Sequence, residues 1–122
     1  MLMLGAPPQE AKWPEAGIAL DLIPLPEDKD QEFVAATITE VRDDNDKLIN
    51  IKRDTPRYAQ LVGNYCIKGW RGVVDAKKKP LKCTEKNIND FMLIDVAQAF
   101  VFSKVKGLAL RVIKETEEAK ND

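Results

Sequence analysis

The chain has 122 residues, of which 44% are hydrophobic and 32% charged, with 19 Lys plus Arg against 20 Asp plus Glu and no histidine. This is about one ordinary domain, too apolar for a disordered chain and too evenly charged for a general nucleic-acid coat. Without histidine, the commonest general base, zinc ligand and triad partner are all missing.

Residues 1–16 carry Pro7, Pro8 and Pro14, show no period, and read as an extended N-terminal arm. Trp13 either clips that arm to the domain or docks on a neighbouring subunit, and the rarity of exposed Trp favours the clip. Residues 17–116 read as a single α+β domain and 117–122 as a charged tail. Met1-Leu2-Met3-Leu4 is too short an apolar run, with no charged residues before it, for a signal peptide. No stretch reaches the length of a membrane span, because Asp95, Gln98, Lys104, Lys106 and Arg111 interrupt the richest one. A soluble, intracellular protein is expected.

From Gly17 the pattern alternates, with Ile18, Leu20 and Leu22 on one side of a strand that Pro24-Leu25-Pro26 ends. The acidic stretch 27–30 reads as a loop and Phe33–Arg42, rich in β-branched residues, as a second strand. Asp43-Asp44-Asn45-Asp46 is a turn, and Leu48–Ile51 alternates again, with Ile49 and Ile51 on one face. The expected fold is therefore an N-terminal antiparallel β-meander packed against a helical C-terminal half.

Asp54-Thr55-Pro56 marks a helix start, with Thr55 as the cap and Pro56 tolerated at the first helical position, and Tyr58, Leu61, Val62, Tyr65 and Cys66 form an apolar stripe at helical spacing. Cys66 and Cys83 form no CxxC pair and read as small buried hydrophobes in a reducing compartment. A short hairpin is predicted from Val73-Val74 through a turn over 76–79 to Pro80-Leu81. Thr84 then caps a helix that begins at Glu85 and continues, with or without a kink near Leu93, towards Glu115.

Two surfaces stand out. The C-terminal helix is apolar on more than one face, with Val96, Ala99, Phe100 and Ser103 along one line and Leu93, Ala97, Val101 and Leu108 along another. Phe102 and Val105 extend the apolar surface further. Such a helix is either buried centrally or shared with a partner. Phe100 and Phe102 lie about 200° apart around a helix and cannot share one core, so Phe100 is expected inside. Phe102, Val105, Val101 and Leu108 are then the candidates for contact with a partner or a second copy of the chain. The second surface is basic: Lys77, Lys78, Lys79, Lys82 and Lys86 stand against Asp75 and Glu85, with Trp70 and Arg71 just before them. It is either a phosphate-binding turn with an aromatic platform or a solvated turn guarding a hairpin edge, and the net charge favours the second.

Catalytic signals are weak. The carboxylates lie in turns and the tail, Cys66 has no histidine to activate it, and neither a phosphate-cradling glycine loop nor metal-ligand spacing occurs. No enzyme activity, cofactor or metal is expected.

The run from Ile67 to Asp75, followed by Lys79 to Asn87 and Phe91, resembles small tailed-phage and prophage proteins encoded among tail genes, often described as tail assembly chaperones. Trp70, Gly72, Asp75, Pro80, Thr84 and Asn87 occupy the places of that pattern over about a third of the chain. This chain departs from it at Ala76-Lys77-Lys78-Lys79, where the family turn is usually acidic and carries a glycine. The resemblance implies a non-enzymatic tail assembly factor in the bacterial host cell, binding a phage tail protein or itself and shielding apolar helical segments. A structural tail or head–tail connector subunit is the alternative, and a nucleic-acid-associated accessory protein using Lys77–Lys79 is a third.

Overall fold

Alternating apolar residues, prolines and helix caps position most of the elements. The computed structural model describes residues 7–106. Strand β1 (Gln9–Trp13) turns through one 3-10 segment, Pro14–Ala16, into β2 (Ile18–Leu22), and the two pair antiparallel from Gln9 opposite Leu22 to Trp13 opposite Ile18. Helix α1 (Glu27–Thr37) follows, then β3 (Ile38–Arg42), β4 (Leu48–Arg53), helix α2 (Thr55–Cys66) and β5 (Ile67–Arg71). Helix α3 (Glu85–Phe91) and a helix α4, running from 95 to the last described residue, 106, complete the order.

The α+β class stands, but its layout differs from a meander followed by helices. Strand β5 pairs antiparallel with β2, so the main sheet has the order β1-β2-β5, and β3 with β4 makes a separate two-stranded ribbon. Two expectations change with it. Residues 9–13 of the supposed arm are an edge strand, tied in by Trp13, which stacks on Phe100 with ring centroids 4.8 Å apart and planes 10° from parallel. This is the clip rather than the subunit contact.

The expected loop at 27–30 and the first part of the strand from Phe33 are instead helix α1. Glu27, Asp28 and Asp30 fill its first turn, where carboxylates suit the positive end of the helix dipole. Phe33 meets the edge of Tyr65 at 5.9 Å, and Tyr58 donates to the Asp30 carboxylate, so packing on α2 outweighs the β preference of Val34 and Thr37. The Thr37 hydroxyl bonds back to Phe33 O at 2.8 Å, an ordinary way for Thr to sit in a helix.

Helix α2 starts as predicted, except that Asp54 supplies the cap, its carboxylate accepting from Arg57 N at 3.1 Å, while Thr55 is already helical. Its innermost line is Ala59, Val62, Gly63 and Cys66, one step round from the tyrosines, which are half-buried. Gly63 sets the crossing with α3, because a β-carbon there would lie 2.3 Å from Met92 Cγ. One core cluster joins Leu20 and Leu22 of the sheet to Val62, Ile88, Phe91, Met92 and the inner line of α4.

Candidate protein-binding surfaces

The inner line of α4 is Ala97, Val101 and Val105, spaced by four and buried to within 1%. Val101 and Val105 therefore belong to the core and present no surface to a partner, which corrects their assignment from sequence. Val96, Ala99 and Ser103 are exposed, so the line expected inside is outside. Phe100 and Phe102 flank the buried line, each half-buried: Phe100 on Trp13, and Phe102 tilted against Tyr58 at 5.8 Å. Lys104 and Lys106 place their ammonium groups 5.7 Å from the Phe100 and Phe102 rings. Leu108, the fourth candidate, and the remainder of the predicted helix to Glu115 lie outside the described residues, as does the tail 117–122.

Sequence reasoning missed the apolar corner between α3 and α4. Helix α3 stops at Phe91, Met92 turns inward, and Leu93 and Ile94 turn outward through bonds from Leu93 N to Asp90 O and from Ile94 N to Phe91 O. Ile94 is 53% and Val96 63% exposed, with Leu93 beside them. The signal was present, since four consecutive apolar residues, Phe91 to Ile94, cannot all face one core.

Trp70, Gly72, Asp75, Pro80, Thr84 and Asn87 each make a local bond or a close approach. The Trp70 indole N–H donates to Leu81 O at 2.8 Å, and its ring lies 5.5 Å from Phe91. Val74 pairs with Pro80, and Leu81 N donates to Val73 O at 2.9 Å, closing the predicted hairpin. Thr84 Oγ1 accepts from Asn87 N at 3.3 Å, capping α3, and Asn87 Nδ2 returns to Lys82 O at 2.9 Å. Gly72 has φ 83°, and a β-carbon there would meet Gly17 O at 2.1 Å. These positions bind the hairpin to the body and to α3.

The lysine turn has a counterpart. In the hairpin, Asp75 N donates to Lys79 O, Lys78 N to Asp75 O, and Lys77 N and Lys79 N both to Asp75 Oδ1, at 2.8–3.0 Å. In the ribbon, Asp43 N donates to Lys47 O, Asp46 N to Asp43 O, and Asn45 N and Lys47 N both to Asp43 Oδ1, at 2.9–3.0 Å. Lys78 and Asp46 each have φ 62°. The two five-residue turns are thus the same device, one tipped with Lys77 and Lys78 and the other with Asp44 and Asp46. Behind the acidic tip, Leu48, Ile49 and Ile51 are exposed, Ile49 to 60%.

Three groups in the body, Cys66, Cys83 and Tyr58, are pushed towards their neutral forms. Burial pushes the Cys66 thiol up to about 12, with Lys68 drawing it back slightly, and burial also raises Cys83. Burial and the bond to Asp30 raise Tyr58. Neither thiol is poised as a thiolate nucleophile. Arg71 spans the main sheet, bonding Asp21 through two 3.2 Å contacts and also Glu10. Among the described residues no group of three His, Cys, Asp or Glu could hold a metal ion, and no helix is long and apolar enough to cross a membrane.

A scan against protein-family models, a search of curated proteins and a search of solved structures each found no match to this chain.

Proposed function

We propose that the chain is a non-enzymatic assembly factor of a phage or prophage tail module, acting by covering apolar helical segments of a tail protein. One observation carries the reading: Leu93, Ile94 and Val96 project from the corner of a helix whose inner face is already filled. An apolar patch on a rigid corner gains from meeting another apolar surface, and it needs no chemistry beyond that. The contact is thereby moved from Val101 and Val105 to the corner, while Phe102 packs against Tyr58. The resemblance at Trp70, Gly72, Asp75, Pro80, Thr84 and Asn87 supplies the tail module; their bonding supplies a scaffold that holds the corner in place.

The test is co-expression with each tail protein encoded beside it. A soluble complex with one of them is expected, and it should be lost in an Ile94→Asp/Val96→Asp variant whose melting temperature is unchanged, since both positions are exposed. A variant that binds as well as the parent, or no complex with any tail protein, would overturn the reading.

A further inference from the structure

We infer that this chain assembles head to tail with copies of itself, the ribbon β3–β4 of one copy docking by its acidic tip onto the lysine-tipped hairpin of the next. This does not rest on the function proposed above, because it uses neither the α3–α4 corner nor any client.

The ribbon is a part of the molecule with an unmet need. A two-stranded hairpin is marginal in water without packing. Every residue of β4 is exposed, and β3 contributes only Ile38 and Val41 as half-buried residues. Ile49 and Ile51, one face of β4 by alternation, are 60% and 45% exposed. Natural edges are usually blunted or covered, and Lys47, Lys52 and Arg53 blunt this one only at its ends.

Charge selects the occupant. The ribbon tip presents Asp44 and Asp46, and among the described residues the one ion pair to either is Arg42 with Asp46, at 4.0 Å. The hairpin tip presents Lys77, Lys78 and Lys79, and among the described residues no carboxylate lies within ion-pair distance of any of them. The two tips are the same turn in shape and opposite in sign, and the bonds that join each tip internally do not join one to the other within the chain. Each tip also has an apolar flank: Ile49 and Ile51 behind the acids, and Val74, 47% exposed, behind the lysines. A polar, oppositely charged tip over an apolar flank on both sides gives attraction on approach and burial on contact. Because the two surfaces differ, each copy offers one of each, and the contact either closes reciprocally as a pair or runs on into a ring or a filament.

The twin turns supply their own controls. Asp46 and Lys78 occupy equivalent backbone positions, so Asp46→Lys and Lys78→Asp each introduce a residue that the same turn already carries elsewhere. Asp43 and Asp75, which hold the turns together, stay untouched. The full chain, an Asp44→Lys/Asp46→Lys variant and a Lys77→Asp/Lys78→Asp variant are compared by sedimentation velocity over a range of concentrations at low and high salt.

The parent should grow in mass with concentration, and less so at high salt. Each variant, now carrying two tips of like sign, should associate about tenfold or more weakly. An equimolar mixture of the two variants should associate again, since every ribbon tip then finds a hairpin tip of opposite sign. A parent that stays monomeric overturns the inference. So does a lysine-turn variant that associates like the parent, which would place the contact away from the hairpin tip. A mixture that fails to recover, although both variants melt like the parent, overturns it as well.

Discussion

The turns at 43–47 and 75–79 share their backbone bonds, their anchoring aspartate and a left-handed fourth residue, yet they close hairpins of very different standing. The hairpin at 73–81 is fastened to the body by the Trp70 indole, by Gly72 against Gly17 and by the Asn87 amide on Lys82. The ribbon at 38–53 joins the body at its root, where Asp54 N donates to Thr37 O at 2.8 Å, and every residue of β4 is exposed. Turn chemistry decides where a chain reverses; what the flanking residues meet decides whether the reversal belongs to the cooperative unit. Melts and amide exchange probe that contrast directly.

The largest separation should open at alkaline pH. The Cys66 thiol sits near 9 in an unfolded chain and about 12 in the folded one, so the folded state holds the proton more tightly. Its contribution is complete below pH 9 and falls as the pH rises from 9 to 12. The loss over that range is about 4 kcal/mol, since each tenfold change in proton affinity is worth about 1.4 kcal/mol. Tyr58, also raised, loses stability in the same direction above its ordinary value of 10. Denaturant melts across this range should show the decline, and Cys66→Ala should flatten its lower part. Amides of 73–81 should lose protection together with the core, while those of 38–53 exchange early at every pH.

Gly72→Ala should cost about 3 kcal/mol or more, because strain at positive φ adds to a backbone clash with Gly17 O. A thermal melt close to the parent's would mean that the hairpin can swing away from β2 at little cost. Next, Trp70→Ala should destabilise by about 3 kcal/mol, whereas Ile51→Ala should stay within about 0.5 kcal/mol. Equal losses at the two sites would erase the distinction between a fastened hairpin and a free one. The smallest effect is at the left-handed positions. Lys78→Gly should gain about 0.5–1 kcal/mol and raise the global melt, while Asp46→Gly, in the exposed ribbon, should leave it unchanged.

Much of the fastened hairpin was legible in the sequence. Asp75, Pro80 and Thr84 act through bonds to residues two to six positions away, and such local chemistry is written in spacing. The start of α2 at Asp54-Thr55-Pro56 was legible for the same reason. Helix α1 was not, because its β-branched residues are held helical by Tyr58 and Tyr65, more than twenty positions on. The Pro26-Glu27-Asp28 start was the available signal. On α4 the sequence showed apolar residues in nearly every direction, so choosing 97, 101 and 105 over 96, 99, 100 and 103 needed the position of the sheet and of Trp13. The exposed corner escaped because reading 85–115 as nearly continuous hid the outward turn of Leu93 and Ile94.

Helix α1 passes into β3 at Thr37–Ile38, and α2 into β5 at Cys66–Ile67, with no residue between them. On the return side, Asp54 alone separates β4 from α2. The ribbon is therefore a lever mounted directly on two helices, with no slack segment at its root to take up a displacement. A load applied at Asp44 becomes a torque on the α1–α2 pair, and the bond between Tyr58 and Asp30, which joins those helices, is placed to resist it.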